Sequence, residues 1–237
     1  MENNIGYFES RRISPEFYRK FKIPYYLKIR LPQDKNSKIL DFGCGFGQLI
    51  KELKNLGYPN VIGADIDKEA INFGRSQGFF YIEDATDLDY FCTKYENNYF
   101  DIVIMSHVLE HIPKKEIIPF LLKIKKVIKK GGYLFVMIPN AQSNTGAYWA
   151  YKDFTHETLF TSGSIYYVLK KAGFNEIEFI DIECLEGLGF MKRVLKKFLL
   201  SIYKFRINFW NRVTSSSFHK PSPEIFSYEI KVIAKNS

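Results

Sequence analysis

The stretch Ile39-Leu40-Asp41-Phe42-Gly43-Cys44-Gly45-Phe46-Gly47 decides the fold. A short apolar run enters three glycines at alternate positions, and a helical pattern begins at once. Glycine lets the backbone turn sharply and approach a ligand that a Cβ atom would exclude, and the free N–H groups at a helix start attract an anionic group. The stretch predicts a strand, a ligand-binding loop and a helix, although the loop alone could also be an ordinary strand-to-helix turn.

The spacing separates this loop from two common nucleotide-binding motifs. A dinucleotide fingerprint would place its third glycine at position 48, which is Gln48, and a triphosphate loop would end in Gly-Lys-Ser/Thr. Asp65 closes the next apolar run, where a carboxylate can accept both hydroxyls of a ribose. Asp84 ends the following run, near the expected position of a base. These residues predict a site for a nucleoside-containing ligand.

Short apolar runs alternate with helix-period stretches along the whole chain, which is typical of an α/β sheet. The predicted strands are Lys38–Phe42, Val61–Ala64, Phe79–Glu83, Phe100–Met105, Tyr133–Ile138, Glu176–Ile182 and Ile225–Ala234. The predicted helices, each followed by a glycine, are Gln48–Leu56, Lys68–Ser76, a long helix ending at Lys130, and Ser164–Lys171.

No repeat or long linker divides the chain, so we expect a single domain with four parts. Residues 1–35 form a helical arm, in which Ser14-Pro15 marks the start of a helix. Its aromatic residues are expected to pack against the body of the domain, and they are Phe17, Tyr18, Phe21, Tyr25 and Tyr26. Residues 36–185 form the ligand-binding core, 186–224 a basic insertion or lid, and 225–237 the final strand.

The composition points to a cytoplasmic globular protein. The 237 residues are 46% hydrophobic and 25% charged, which excludes disordered, collagenous and disulfide-scaffold proteins. The cysteines are scattered and odd in number, so Cys44, Cys92 and Cys184 are expected to be reduced, buried thiols. The sequence shows neither a signal peptide nor an apolar run near the ~20 residues that cross a bilayer.

Several segments follow one another in an order that resembles the class I S-adenosylmethionine-dependent methyltransferases. They lie between about Ile39 and Gly173, and they are the glycine loop, Gly63-Ala64-Asp65-Ile66-Asp67, Glu83-Asp84-Ala85, Phe100-Asp101-Ile102-Val103, His107-Val108-Leu109-Glu110-His111-Ile112 and Lys129-Lys130-Gly131-Gly132. The resemblance implies a Rossmann-like sheet with helices on both faces and seven strands, the last antiparallel and inserted between the fifth and sixth. It also implies S-adenosylmethionine as cofactor and S-adenosylhomocysteine as product.

The resemblance also implies the cofactor site. The glycine loop would lie against the methionine moiety with Asp41 near its amino group, Asp65 would bind ribose, and Asp84 would reach the adenine amine. The turn Ser106-His107 would pass close to the methyl donor. The expected cofactor-binding set is Asp41, Gly43, Cys44, Gly45, Gly47, Asp65, Ile66, Asp84, Ala85, Ser106 and His107.

Two histidines are candidates for the base that a hydroxyl nucleophile requires. His156 lies in Pro139–Thr161, a long loop of the kind that is often functional, and His107 follows the fourth strand. A bracing role is the alternative for His156, and a structural role is expected for His111. In some ubiquinone-pathway O-methyltransferases a related acid and histidine cluster holds a divalent ion, but those enzymes have glutamate where this chain has His107, so no metal site is predicted.

Two sequence features bear on the identity of the methyl acceptor: a motif that is missing and a weaker resemblance to a subfamily. The sequence Met105-Ser106-His107-Val108 lacks the Asn/Asp-Pro-Pro-Tyr/Phe segment of base-amine methyltransferases. Pro139-Asn140 and its aromatic loop resemble methyltransferases of bacterial surface-polysaccharide (capsule or O-antigen) gene clusters. We therefore expect O-methylation of a small sugar-derived or phosphorylated acceptor in polysaccharide biosynthesis. The alternatives are a phenol or quinone-precursor O-methyltransferase and a catalytically silent cofactor-binding partner subunit.

The formal charge of +8 lies entirely in the C-terminal region. From residue 188 onward there are ten Lys or Arg and only two acids, so residues 1–187 are neutral. Residues 190–212 have helical periodicity, which would place Met191, Leu195, Phe198 and Ile202 on one side. A packed cap helix, a lid over a phosphorylated substrate and a contact with a membrane surface all remain open. Nucleic acid is disfavoured because the rest of the chain is neutral.

Overall fold

A computed structural model describes Phe8, Ser14, Glu16 and residues 20–78, 81–95, 98–216 and 224–237. The strands are β1 (Ile39–Phe42), β2 (Val61–Asp65), β3 (Ile82–Asp84), β4 (Phe100–Ser106), β5 (Ile128–Pro139), β6 (Asn175–Phe179) and β7 (Glu229–Lys235). The helices are α1 (Tyr25–Lys28), α2 (Gln48–Asn55), α3 (Lys68–Ser76), α4 (Leu88–Lys94), α5 (Ile117–Val127), α6 (Gly146–Lys152), α7 (Ser162–Lys171) and α8 (Phe190–Val213), with a 3₁₀ helix at Leu109–His111.

The strands form one sheet in the order β3-β2-β1-β4-β5-β7-β6. Strands β1 to β5 pair in parallel, whereas β7 runs antiparallel to both of its neighbours, β5 and β6. This confirms the predicted seven-stranded sheet with the last strand inserted between the fifth and sixth. Parallel strands need crossover helices, and these cover both faces of the sheet.

Alternation along β1 builds two hydrophobic layers. Leu40 and Phe42 enter one buried cluster while Ile39 enters the cluster on the opposite face. Neighbouring β2 and β4 are also buried along most of their length. The carboxyl ends of the parallel strands therefore meet at one edge of a rigid sheet, where ligands of such folds bind.

Three local predictions were wrong. The long helix ends at Val127 and not at Lys130, because Ile128 already pairs with Phe100 and the chain continues as β5 through Gly131-Gly132. Sheet pairing here overrides the helical preference of the lysines. Helix α4 was not predicted, although Asp87 is a typical N-cap and accepts a hydrogen bond from the Tyr90 amide. Helix α6 was not predicted either, because it lies within Pro139–Thr161, which was interpreted as a loop.

The N-terminal arm is only partly described. Its described part contains the four-residue helix α1, and Phe8 packs on Phe46 with ring centroids 4.4 Å apart. Pro15, Phe17 and Tyr18 of the expected arm lie outside the described residues, as do Phe79 of the third predicted strand and residues 217–223 of the insertion. Within the described ranges, no helix is long and apolar enough to cross a membrane.

All three cysteines are free thiols. Cys44 and Cys92 are buried as predicted, but Cys184 is only partly buried. It lies in the connection from β6 to α8, with Lys231 Nζ 3.0 Å from its sulfur. A position beside a charged amine in a loop explains why it is not part of the core.

Candidate functional site

The loop between β1 and α2 requires glycine at its first position. Gly43 has a φ of +80°, a left-handed conformation, and a Cβ atom there would overlap the Val108 side chain. The amides of Gly43 and Cys44 both donate to the Ala64 carbonyl, at 2.7 and 3.1 Å. The loop is therefore tied to β2 through its backbone and has no room for a side chain on the side facing Val108.

Asp65 anchors the same loop from the end of β2. Its Oδ2 accepts the Gly45 amide at 2.7 Å, and its Oδ1 accepts the amides of Ile66 and Asp67 at 2.8 and 2.9 Å. A carboxylate offers about four acceptor positions, so about one remains for a ligand. The expected acceptance of both ribose hydroxyls would need one backbone bond to be given up. Burial raises the pKa of Asp65, and the backbone hydrogen bonds oppose that rise.

Asp41 is a buried acid at the start of the loop. Its side chain is almost fully buried, and burial together with the charge of Asp65 raises its pKa to about 7. Two carboxylates that share a buried site cannot both ionise cheaply. A cation bound beside Asp41 would relieve this repulsion, which makes the position suitable for an ammonium group.

Asp84 lies next to Asp65 on the neighbouring strand, since the two residues are partners in the parallel pairing of β2 with β3. Asp84 is exposed, and hydrogen bonds from Thr86 lower the pKa of its carboxyl. Between them the Ala85 amide donates to the Asp65 carbonyl, and the Ile66 side chain is 68% exposed. The sequence-predicted residues of β1, β2 and β3 therefore lie together, with an apolar surface beside two carboxylates.

His107 lies at the end of β4 and is held between two glutamates. Its φ is +57°, its Nδ1 lies 3.1 Å from Glu110 Oε1, and its Nε2 lies 3.0 Å from Glu229 Oε1. Partial loss of hydration lowers the pKa of His107, whose side chain is 42% exposed, but the hydrogen bonds and charges of the two glutamates outweigh it and raise the pKa to about 10. The imidazole is protonated at neutral pH and has no lone pair for a proton. This charge state argues against the predicted role of His107 as a base.

His156 is held by a backbone carbonyl, whereas His107 is held by two carboxylates. It is buried, and its Nδ1 lies 2.7 Å from the Trp149 carbonyl, which can only accept a hydrogen bond. Nδ1 therefore carries the proton, and Nε2 is the basic nitrogen. Nε2 lies 3.8 Å from Asp153 Oδ2, and the ring packs edge-on against His111 at 4.7 Å. The hydrogen bond to the Trp149 carbonyl therefore fixes which ring nitrogen carries a proton and how the ring is oriented.

Glu110 connects these two histidines. Its Oε1 contacts His107, while its buried Oε2 has no hydrogen-bond partner. One ligand atom from each of Glu110, His111 and His156 lies within 4.8 Å of the others, so this trio could hold a divalent cation. His107 contacts Glu110 but does not belong to this trio, and the turn that carries Glu110 and His111 is only a three-residue 3₁₀ helix.

Backbone hydrogen bonds bring the loop after β5 to this position. The amides of Glu157 and Thr158 donate to the Glu110 carbonyl at 2.7 and 3.1 Å. The two stretches predicted to contain the base therefore meet. Glu229 was not predicted as a site residue; an acid at the start of a strand that is buried along nearly all of its length was the available signal.

A groove of about 360 Å³ lies beside α8. It lies between α8 and residues 224–228 and is lined by Asn144, Tyr203 and Tyr228, among others. Tyr228 packs against Trp149, whose carbonyl holds His156, and the next residue, Glu229, binds His107. The groove thus connects the exposed helix to the histidine region.

A protein-family model, curated protein sequences and solved structures all match this chain. Residues 15–178 match the family model described as a methyltransferase domain. Ubiquinone biosynthesis O-methyltransferase of Chelativorans sp. (strain BNC1) is 32% identical over 108 residues, which are 44% of this chain and 40% of that protein. The protein of the same name from Aliivibrio fischeri (strain ATCC 700601 / ES114) is 31% identical over 104 residues, 41% of this chain and 42% of that protein. The aligned regions thus span less than half the length of these curated relatives.

Solved structures share the fold over nearly the whole chain. A SAM-dependent methyltransferase from Archaeoglobus fulgidus has a TM-score of 0.65 at 22% identity, covering 96% of this chain and 97% of that one. Human N-acetylserotonin methyltransferase in complex with SAM has a TM-score of 0.54 at 16% identity, covering 89% and 50% of the two chains. At these identities the likeness establishes the fold.

Proposed function

The chain belongs to the methyltransferase-domain family, and we propose that it transfers a methyl group from S-adenosylmethionine to a hydroxyl oxygen of a small acceptor. The basic Nε2 of buried His156, beside the cofactor-binding edge of the sheet, carries this proposal for oxygen. The O-methyltransferase names of the curated relatives support it.

The residues at the ends of β1, β2 and β3 fit this methyl donor, and we call them the donor half of the site. They are Asp41, the loop Gly43–Gly47, Asp65, Ile66, Asp84 and Ala85. Positive φ at Gly43, Gly45 and Gly47 lets the loop turn sharply at the end of β1, where its backbone can contact a ligand. Buried Asp41 suits an ammonium group, and the acids flanking Ile66 suit a nucleoside. Bound there, S-adenosylmethionine supplies an activated methyl group on a sulfonium.

The remaining residues form the acceptor half, which consists of His107, Glu110, His111, His156 and Glu229. Displacement at a methyl group needs an in-line nucleophile, so alignment contributes most of the rate. We propose that His156 Nε2 takes the hydroxyl proton while Nδ1 stays bonded to the Trp149 carbonyl. His107, as a cation between Glu110 and Glu229, positions the turn after β4.

A metal-assisted variant of this step is the second candidate, favoured by the unpartnered Glu110 Oε2. A divalent cation held by Glu110, His111 and His156 would lower the pKa of a bound hydroxyl, and His156 would then be a ligand. Activity that survives exhaustive chelation supports His156 as the base. Activity that is lost on chelation and restored by Mg²⁺, Mn²⁺ or Zn²⁺ supports the metal.

For the acceptor we propose a sugar-derived hydroxyl in surface-polysaccharide biosynthesis, on the likeness of the loop after β5. Tyr151 and Phe154 in this loop are 80% and 97% exposed near His156 and offer faces for a ring. The names of the curated relatives favour the alternative, a phenolic quinone precursor. The free thiols support a reducing, cytoplasmic location for either reaction.

Product analysis tests the proposal. Purified full-length chain is incubated with S-adenosylmethionine and matched panels of nucleotide-linked sugars, free sugars and catechols, and S-adenosylhomocysteine is quantified against a no-acceptor control. Turnover with sugars alone supports the primary acceptor, and turnover with catechols alone replaces it with the alternative. Tight donor binding without turnover on either panel would support the silent partner subunit.

A further inference from the structure

Helix α8 turns its apolar face toward solvent. A stripe recurring every three or four residues, as a helix of about 3.6 residues per turn requires, runs along the whole element. Its members are between 50% and 79% exposed, and they are Met191, Val194, Leu195, Phe198, Ile202, Phe205, Phe209 and Val213. None of the 24 residues of α8 is buried. An amphipathic helix of a globular domain normally buries this stripe.

The opposite face of α8 is attached to the body mainly through polar groups. Lys196 Nζ donates to the Cys184 carbonyl at 2.7 Å, Tyr203 donates to Asn144, and Lys204 pairs with Glu183. The Tyr203 ring also packs against Phe226. These contacts set the rotation of the helix, so the exposed stripe is a consequence of how the helix is fastened.

Positive charge borders the stripe on both sides. Exposed Lys192 and Arg206 lie along one margin, and exposed Lys197 and Arg212 lie along the other. The helix holds seven Lys or Arg and no acid. Long basic side chains can keep their charged ends in a polar layer while their stems follow an apolar surface.

We propose that α8 docks flat on an anionic lipid bilayer, with its aromatic and aliphatic stripe in the interface and its basic margins on the headgroups. Charge complementarity favours a lipid surface over a second copy of the chain. If a second copy packed on the same stripe, the basic margins of the two helices would repel each other, and neither helix has an acid to pair with them. The helix is not apolar enough to span the bilayer, which agrees with binding in the plane. The inference does not depend on which acceptor is methylated.

Vesicle flotation tests the docking. The full chain is mixed with vesicles of phosphatidylcholine alone or of phosphatidylcholine with an equal part of phosphatidylglycerol. We expect flotation with the anionic vesicles only, weakened by salt. Phe198→Ser/Phe205→Ser and Lys192→Glu/Lys197→Glu should each lower the bound fraction roughly tenfold. Lys126→Glu/Lys130→Glu, which makes the same charge change at exposed positions elsewhere, should float like the parent.

Three results would overturn the proposal. One is equal binding to both kinds of vesicle, and another is anionic binding that all three variants retain. The third is a soluble dimer that Phe198→Ser/Phe205→Ser dissociates, in a chain that binds no vesicles. Thermal melting of every variant separates loss of docking from loss of folding. A salt-sensitive shift with tRNA or duplex DNA, without vesicle binding, would reassign the surface to nucleic acid.

Discussion

The two halves of the site are built in different ways. In the donor half, Asp65 holds Gly45 through a backbone amide 20 residues away, and neighbouring parallel strands supply the other residues. In the acceptor half, His107 contacts Glu229 across 122 residues, and His156 meets His111 through a loop that is fastened to the Glu110 carbonyl. Backbone geometry therefore determines the donor half, while side chains from distant segments determine the acceptor half. This division predicts that donor binding and turnover can be damaged separately.

The largest separate effect is expected at His156. His156→Ala should lower kcat by about 10²–10⁴-fold, the usual contribution of a general base, while the Kd for S-adenosylmethionine stays within a few-fold of the parent. Single-turnover kinetics and calorimetric titration measure the two quantities. His156→Gln is the matched control, because it can donate to the Trp149 carbonyl but cannot serve as a base. Near-parental kcat in His156→Ala would make His156 a brace, and a collapse of donor affinity would show that the loop covers the donor.

The next effect is expected in the donor half. Asp65→Ala should weaken S-adenosylmethionine binding by about 2–3 kcal/mol, since it removes a charged acceptor and releases the Gly45 amide. Calorimetric titration measures the loss. Asp87→Ala, which removes the carboxylate that caps α4 outside the site, should bind the donor normally although it loses this cap. Unchanged affinity in Asp65→Ala would contradict the assignment of the donor half.

A smaller effect should appear as a pH dependence of donor binding. Because the pKa of Asp41 is raised to about 7, the ionised form that suits an ammonium group is a minority below that pH. Affinity should therefore rise with pH and differ about tenfold between pH 6 and pH 8. Asp41→Asn should bind more weakly at pH 8 and show a flat profile. A parent profile that is already flat between these pH values would refute the role of Asp41.

The smallest effect concerns stability. The pKa of His107 is raised from 6.5 to about 10, so the stabilisation from its imidazolium is fully present below pH 6.5 and is lost as pH rises toward 10. His107→Gln should remove this part of the pH dependence, and Glu229→Gln should reduce it because one of the two carboxylates remains. Thermal melting across this pH range measures the difference between variants. Identical slopes in all three proteins would mean that His107 is neutral and could again act as a base.

The donor half and most of the fold could be predicted from local pattern. The apolar run into Gly43, the acid at Asp65 and the apolar strands are each legible within a few residues, and parallel pairing then brings their ends together. The predictions failed where a non-local contact decided the outcome. Residues 128–130 have helix-favouring lysines, yet pairing with β4 makes them strand.

The sequence by itself determined the class of sheet, the glycine loop after β1 and the acids and histidines that follow the strands. Only the tertiary structure decided which of these residues carries which charge. The pKa of His107 is raised because Glu110 and the distant Glu229 lie 3.1 and 3.0 Å from its ring nitrogens. His156 carries a proton on Nδ1 because that nitrogen donates to the Trp149 carbonyl. The outward rotation of α8 was decided in the same way, since its periodicity defines an apolar face but only its contacts with Cys184, Asn144 and Glu183 turn that face to solvent. A side chain's pKa and its exposure depend on neighbours that are distant in the chain, and these neighbours are set by the packing of the whole fold.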